Sequence, residues 1–233
     1  MKASSLILLA TALVMPFTAT AKDTHSSEHG QVADQVIAKQ RHNLAINTQG
    51  KGFGPQSPRN IDSAQGNNSI DFSAAPAYTA MNLCNIHFHK NAEHAGGEFT
   101  KFAGNGDGHG YQSGYMFSGH LTAAETAQID KDICPSEHSS LSPGDTIEVH
   151  YVYSTAQVKP GPTLASCLSE SITNPQLRVE TQVYVLVNDQ NAGDFNKLNQ
   201  YGMVGGLSQA LSIPNYTGEP IQYAGSTTGP VYN

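Results

Sequence analysis

Asn85-Ile86-His87-Phe88-His89 alternates polar and apolar side chains. A two-residue period is that of a strand, and it puts His87 and His89 on one face. Two imidazoles so placed can both reach one metal ion. A second alternating run, Ile147-Glu148-Val149-His150-Tyr151-Val152, offers a third, with Glu148 and His150 sharing a face. Three neutral histidines with a fourth position open are the ligand set of a hydrolytic zinc site. A ligating His also needs its second ring nitrogen held by a carboxylate or carbonyl, and Glu148 is a candidate for that role. A lone strand histidine is usually a satisfied polar residue; the third His with its acidic neighbour tips the reading toward metal.

Around these two strands, 233 residues suffice for one domain with a sizeable core behind a leader. Residues 1–21 read as a secretory signal, with Lys2 as the charged start, Leu6 to Val14 as the apolar run and Ala19-Thr20-Ala21 as the cleavage site. That run is too short to span a bilayer, and nothing later reaches the length. The expected product is periplasmic or secreted, starting near Lys22. Removal of the leader takes Lys2 with it and leaves 11 basic against 19 acidic residues, a net charge of −8. Such a balance argues against nucleic acid or an anionic membrane as partner. Cys84, Cys134 and Cys167 imply one disulfide and one odd thiol, with three pairings open. Cys134 with Cys167 is preferred, because Cys84 lies inside the histidine strand, where alternation turns it away from His87 and His89.

In chain order, residues 22–45 form an N-terminal tail, with His25 and His29, and a short helix from Val32 to Leu44. The domain proper runs over 46–233. Gly50 to Gly54 and Gln56-Ser57-Pro58 lead into an edge strand, since Pro58 cannot sit at a central ladder position. The histidine strand spans about Ala80 to Phe88. The Gly-rich segment 96–119 lacks a strand-then-helix frame, so it is no phosphate loop; it reads as turns with an edge hairpin near Tyr111 to Phe117. Thr122 with Glu125 forms a capping box that starts a short helix. Ser142-Pro143-Gly144-Asp145 is a turn feeding the His150 strand. A further strand runs from Gln176 to Val187, and Leu207 to Leu211 is a helical candidate. Strand signals outnumber helix signals, so the expectation is a mainly β single domain with a few short helices around a twisted, largely antiparallel sheet.

Taken together, Gln56-Ser57-Pro58-x-x-Ile61-Asp62, His87-Phe88-His89, Glu93-His94, Glu148-Val149-His150 and Thr173-Asn174-Pro175 resemble the carbonic anhydrases over about residues 40–190. The order of motifs resembles the α-class; Cys84 to His89 with Ala92-Glu93-His94 looks closer to the δ-class. The resemblance implies an α-class-like fold and zinc-dependent reversible hydration of CO2 to bicarbonate through zinc-bound hydroxide. His87, His89 and His150 would bind zinc, with Glu148 and Asn85 holding the ligands from behind. Thr173 would accept a hydrogen bond from the hydroxide while donating its own to Glu93. Val152 and Ile172 would line the CO2 pocket. The spacing from the histidine strand to Glu93 is shorter than in the α-class, so either Glu93 or Glu98 could serve Thr173. The proton-shuttle candidates are His94, His109 and His120. Cobalt in place of zinc is compatible with the same ligands.

The competing reading is a periplasmic metal-binding protein without catalysis, using the same histidines with His25 and His29. An esterase-type zinc hydrolase is disfavoured, because neither a His-Glu-x-x-His helix nor a Gly-x-Ser-x-Gly elbow is present.

Overall fold

Three antiparallel strands form the central sheet in the order β1 (Asn82–Lys90), β4 (Thr146–Ser154), β5 (Leu177–Val185). Two hairpins flank it, β2 (Lys101–Asn105) with β3 (Ser113–Met116), and β6 (Tyr201–Val204) with β7 (Leu207–Ala210). The structure, a computed structural model, describes residues 31–49, 74–136, 140–215 and 217–222. The leader, His25, His29, the Gly50–Gly54 stretch and the Gln56 to Asp62 loop lie outside the described residues. The fold is mainly β and antiparallel, as expected, within a unit running from Gln31 to Asn233. Among the described residues no helix is long and apolar enough to cross a membrane.

β4 is the spine, and every residue in it except His150 is buried. Alternation divides it into two faces. Ile147, Val149, Tyr151 and Tyr153 point into the core, where they meet Met81, Leu83 and the partly buried Ile86, Phe88, Tyr184 and Phe195. Each fully buried side chain of this kind contributes on the order of 1.5–3 kcal/mol. Polar ends are satisfied at the edge of the core: Tyr151 Oη donates to the Leu198 carbonyl at 3.1 Å, and the Ala210 N–H donates to Tyr153 Oη at 3.4 Å. The opposite face of β4 presents Thr146, Glu148, His150, Val152 and Ser154.

β1 pairs with β4 so that His87 lies opposite His150 and His89 opposite Glu148. The ladder is interrupted between Leu83 and Asn85. A bulge there puts an extra residue on β1 and breaks strict alternation. Cys84 therefore packs against Val152, on the histidine face, and is joined by a disulfide to Cys167; Cys134 is free and exposed. Both sequence expectations, Cys134 with Cys167 and Cys84 turned away from the histidines, are corrected by that one bulge. The loop carrying Cys167 is also fastened by the Gly161 N–H, which donates to the Cys84 carbonyl at 3.0 Å, and by Ser154 Oγ, which donates to the Cys167 carbonyl at 2.7 Å.

Two helical expectations change. Leu207 to Leu211 contains strand β7, because Gly205 and Gly206 take φ of 59° and 85° and close a two-residue hairpin from Val204. At Thr122 the capping box forms, with the Thr122 N–H donating to Glu125 Oε2 at 2.7 Å and the Glu125 N–H to Thr122 Oγ1 at 3.2 Å. It yields only a turn, since Asn188 donates to the Glu125 and Ala127 carbonyls that a continuing helix would use. The N-terminal helix, α1, spans Asp34–Thr48 and is largely exposed; α2 (Phe195–Leu198) is a single turn.

Candidate metal centre

The register of β1 on β4 gathers His87, His89 and His150 with Glu148 on one face. The His87 and His150 rings meet edge to face with centroids 4.9 Å apart, and His89 and His150 do so at 5.2 Å. His87 Nε2 lies 3.2 Å from His150 Nδ1. Nitrogens bound tetrahedrally at about 2.0–2.1 Å from a zinc ion stand roughly 3.3 Å apart, so this pair has the spacing of two ligating atoms.

Two of the imidazoles have their other nitrogen hydrogen-bonded, and the third faces a carboxylate. His87 Nδ1 is hydrogen-bonded to Asn85 Oδ1, His89 Nδ1 to the Asn91 carbonyl at 3.0 Å, and His150 Nε2 lies 3.6 Å from Glu148 Oε1. Such partners fix ring orientation and leave His87 Nε2, His89 Nε2 and His150 Nδ1 for a metal. His89 Nε2 is buried with no hydrogen-bond partner. A buried, orphaned ring nitrogen beside two other imidazoles fits a metal ligand better than a structural group.

A second grouping brings in the carboxylates and leaves out His87. Glu148 is only 5 % exposed, and its Oε2 accepts from the Glu93 N–H at 2.6 Å. Glu93 Oε1 lies 3.4 Å from His89 Nε2, and Glu148 Oε2 lies 3.6 Å from the same atom. One ligand atom from each of His89, Glu93, Glu148 and His150 falls within 4.8 Å of the others. Charge follows this geometry. Burial and the neighbouring His150 and His89 lower the His87 pKa. For His89 burial also lowers it, but the nearby Glu93 and Glu148 carboxylates outweigh burial and raise it. The His89 ring, its Nε2 3.4 Å from Glu93 Oε1, holds the Glu93 carboxyl at about 2 against the opposing effect of burial.

Of the other expected residues, Asn85 takes the position foreseen for it, and its Nδ2 also donates to the Gly161 carbonyl at 2.9 Å. Val152 is buried against the disulfide. Ile172 and Thr173 are exposed on the loop before β5, where Ile172 closes a turn with Ser169. The Glu93 carboxylate meets His89, and no hydrogen bond joins it to Thr173 among the described residues. Glu98 is exposed, with its carbonyl accepting from the Ser118 N–H at 2.7 Å. His94 is half-buried and close enough to Glu93 to lower its pKa, whereas His109 and His120 are exposed on other loops.

Two contributors escaped sequence reading. Asn91 is buried with φ 67°, a left-handed conformation that Asn tolerates. Its turn brings its carbonyl to His89 and sends the chain toward Glu93. Thr181 faces His150 from β5, between Val179 and Val183 on the same face. The alternation of β5 carried that signal.

The family model described as delta carbonic anhydrase matches residues 78–233, about two-thirds of the chain. The chain belongs to the delta carbonic anhydrases. Its function is therefore of the carbonic anhydrase type, with CO2 and bicarbonate as substrate and product. No curated protein and no solved structure matches the chain. As a delta carbonic anhydrase it carries its histidine and carboxylate cluster wholly within the matched region.

Proposed function

We propose that the chain catalyses reversible hydration of CO2 to bicarbonate and a proton at a zinc ion held by His87, His89 and His150. The observation that carries this reading is the 3.2 Å separation of His87 Nε2 and His150 Nδ1, with His87 Nδ1 bonded to Asn85 and His150 Nε2 facing Glu148 at 3.6 Å. His87, His89 and His150 would hold the ion as neutral imidazoles, and the chemistry it would supply there is a lowering of a bound water's pKa from 15.7 to about 7. The protein's part is orientation. Asn85, the Asn91 carbonyl and Glu148 hold the three rings, and β4 gives them a buried, rigid base. His94, next to Glu93, is the proposed group for moving the proton outward, because an imidazole can accept a proton on one ring nitrogen and release one from the other. Val152 and Ile172 remain the proposed apolar neighbours of CO2. Thr173 would have to approach Glu93 from its exposed loop to orient the nucleophile. Cobalt suits the same ligands. The disulfide supports a periplasmic or secreted location, since such bonds persist in oxidising compartments.

Stopped-flow CO2 hydration by residues 22–233, with and without a chelator, tests the reading. Fast, chelator-sensitive hydration is expected, and His150→Ala should lose both metal and activity. Full zinc occupancy in that variant would overturn the ligand set. A non-catalytic metal-binding role is favoured by one observation, the closeness of four ligand atoms from His89, Glu93, Glu148 and His150. Zinc-loaded protein without hydration above buffer would establish it.

A further inference from the structure

We infer that the outer edge of β6 is a self-pairing surface, through which two copies of this chain associate about a two-fold axis at Gly202. The parity of the hairpin sets which groups face outward. The Leu211 N–H donates to the Gln200 carbonyl at 2.9 Å, and bonded pairs alternate along an antiparallel ladder, so Gly202 and Val204 bond to β7. Tyr201 and Met203 then turn their N–H and C=O groups away from β7. On the β7 side the same alternation turns Ser208 and Ala210 outward. Their N–H groups are met there, by Asn82 Oδ1 at 3.3 Å and Tyr153 Oη at 3.4 Å. Among the described residues no strand pairs with the β6 side.

Such an edge is a template for another strand, and proteins guard it with charge or proline. β2 carries Lys101, and β5 carries Arg178 and Glu180. β6 has neither charge nor proline, and no charged side chain occurs between Lys197 and Glu219. In a chain of net charge −7, that uncharged stretch is where a second copy can approach without like-charge repulsion. The register is self-complementary. With Gly202 opposite the Gly202 of the second copy, Tyr201 faces the Met203 of that copy, and these are the residues whose backbone groups point outward. Gly202 takes the non-hydrogen-bonded position on the axis, where antiparallel Cα atoms come closest, about 4.5 Å. Tyr201 and Met203 are 56 % and 67 % exposed, and pairing sets each thioether against a tyrosine ring. The two short edges bury less than the roughly 1,200–2,000 Å² of a standard interface, so the dimer exchanges with monomer.

Sedimentation equilibrium of residues 22–233 over roughly 1 µM to 1 mM tests this. The mass should rise toward twice that of the monomer. Met203→Lys should raise the dissociation constant at least about tenfold, since it removes a cross-strand contact and sets a charge in the paired face. A second variant reads the register. Gly202→Cys, in a Cys134→Ser background, should form a disulfide between copies on mild oxidation, because the paired Cα atoms lie within disulfide range. The Cβ it adds meets the Leu211 side chain, whose Cδ1 lies 3.3 Å away and can yield. Leu164→Cys in the same background, exposed on another loop, should not cross-link. A monomer at every concentration overturns the proposal, whatever else meets the edge. So does a dimer that Met203→Lys leaves intact, or one in which Gly202→Cys cross-links no better than Leu164→Cys.

Discussion

At the scale of single residues, the proposed centre would depend on groups that never touch the metal. Asn85 accepts from His87 with one side-chain atom and donates to Gly161 with another. Asn85→Leu removes both bonds while keeping similar volume. It should weaken zinc binding by roughly 10–100-fold, the usual cost of losing an outer partner of a ligating histidine, with circular dichroism unchanged. Zinc competition with a chromophoric chelator measures this. Wild-type affinity in the variant would mean that the His87 ring is held by packing alone. That His87, His89, His150 and Glu148 share one face was legible because four residues on two alternating runs can be placed without tertiary knowledge. The sequence did not disclose Asn91, whose contribution is a backbone carbonyl and leaves no mark on side-chain pattern. Nor did it disclose that Glu93 meets His89, since that contact depends on how the chain turns after β1.

Among elements, regular alternation was readable and its interruptions were not. β1, β4 and β5 fall within two residues of the spans expected from the sequence. The bulge at Cys84 and the Gly205-Gly206 turn are each a matter of one or two residues, yet they reassigned a disulfide and turned an expected helix into a strand. Gly206 sits at φ 85° with nothing within 4 Å of where a Cβ would stand, so conformation alone decides the effect of a side chain there. Gly206→Ala should cost about 1 kcal/mol, and in a chain of this size lower the melting temperature by about 2–4 °C. A calorimetric scan would show it. No change would mean that the turn relaxes to another type without cost.

For the whole molecule, the core is unusual in placing two tyrosines, Tyr151 and Tyr153, at its centre, both essentially inaccessible to solvent. Burial, slightly offset by the bond from the Ala210 N–H, pushes the Tyr153 hydroxyl up to about 12 from the ordinary 10.0. In the folded state Tyr153 thus keeps its proton over a range in which the unfolded chain loses it. The stability this represents is fully present below pH 10 and is lost as pH rises through about 12. The loss should reach about 2–3 kcal/mol for this residue. Urea titrations at pH 9, 10 and 11 would follow it, and Tyr153→Phe should flatten the decline. An equally steep decline in that variant would place the alkaline sensitivity elsewhere.

The fastening of the Cys167 loop beside Asn85 has a consequence in time. The disulfide, the Gly161 N–H on the Cys84 carbonyl, and Asn85 between Gly161 and His87 form one continuous chain of restraints that ends on a proposed ligand. A newly made polypeptide whose cysteines are still thiols lacks the first link, and its His87 ring is correspondingly less well aimed. Maturation should then run in a set order, oxidation first and metal second. Zinc offered to the reduced chain should be taken up more slowly, and released more readily, than zinc offered after the bond has closed.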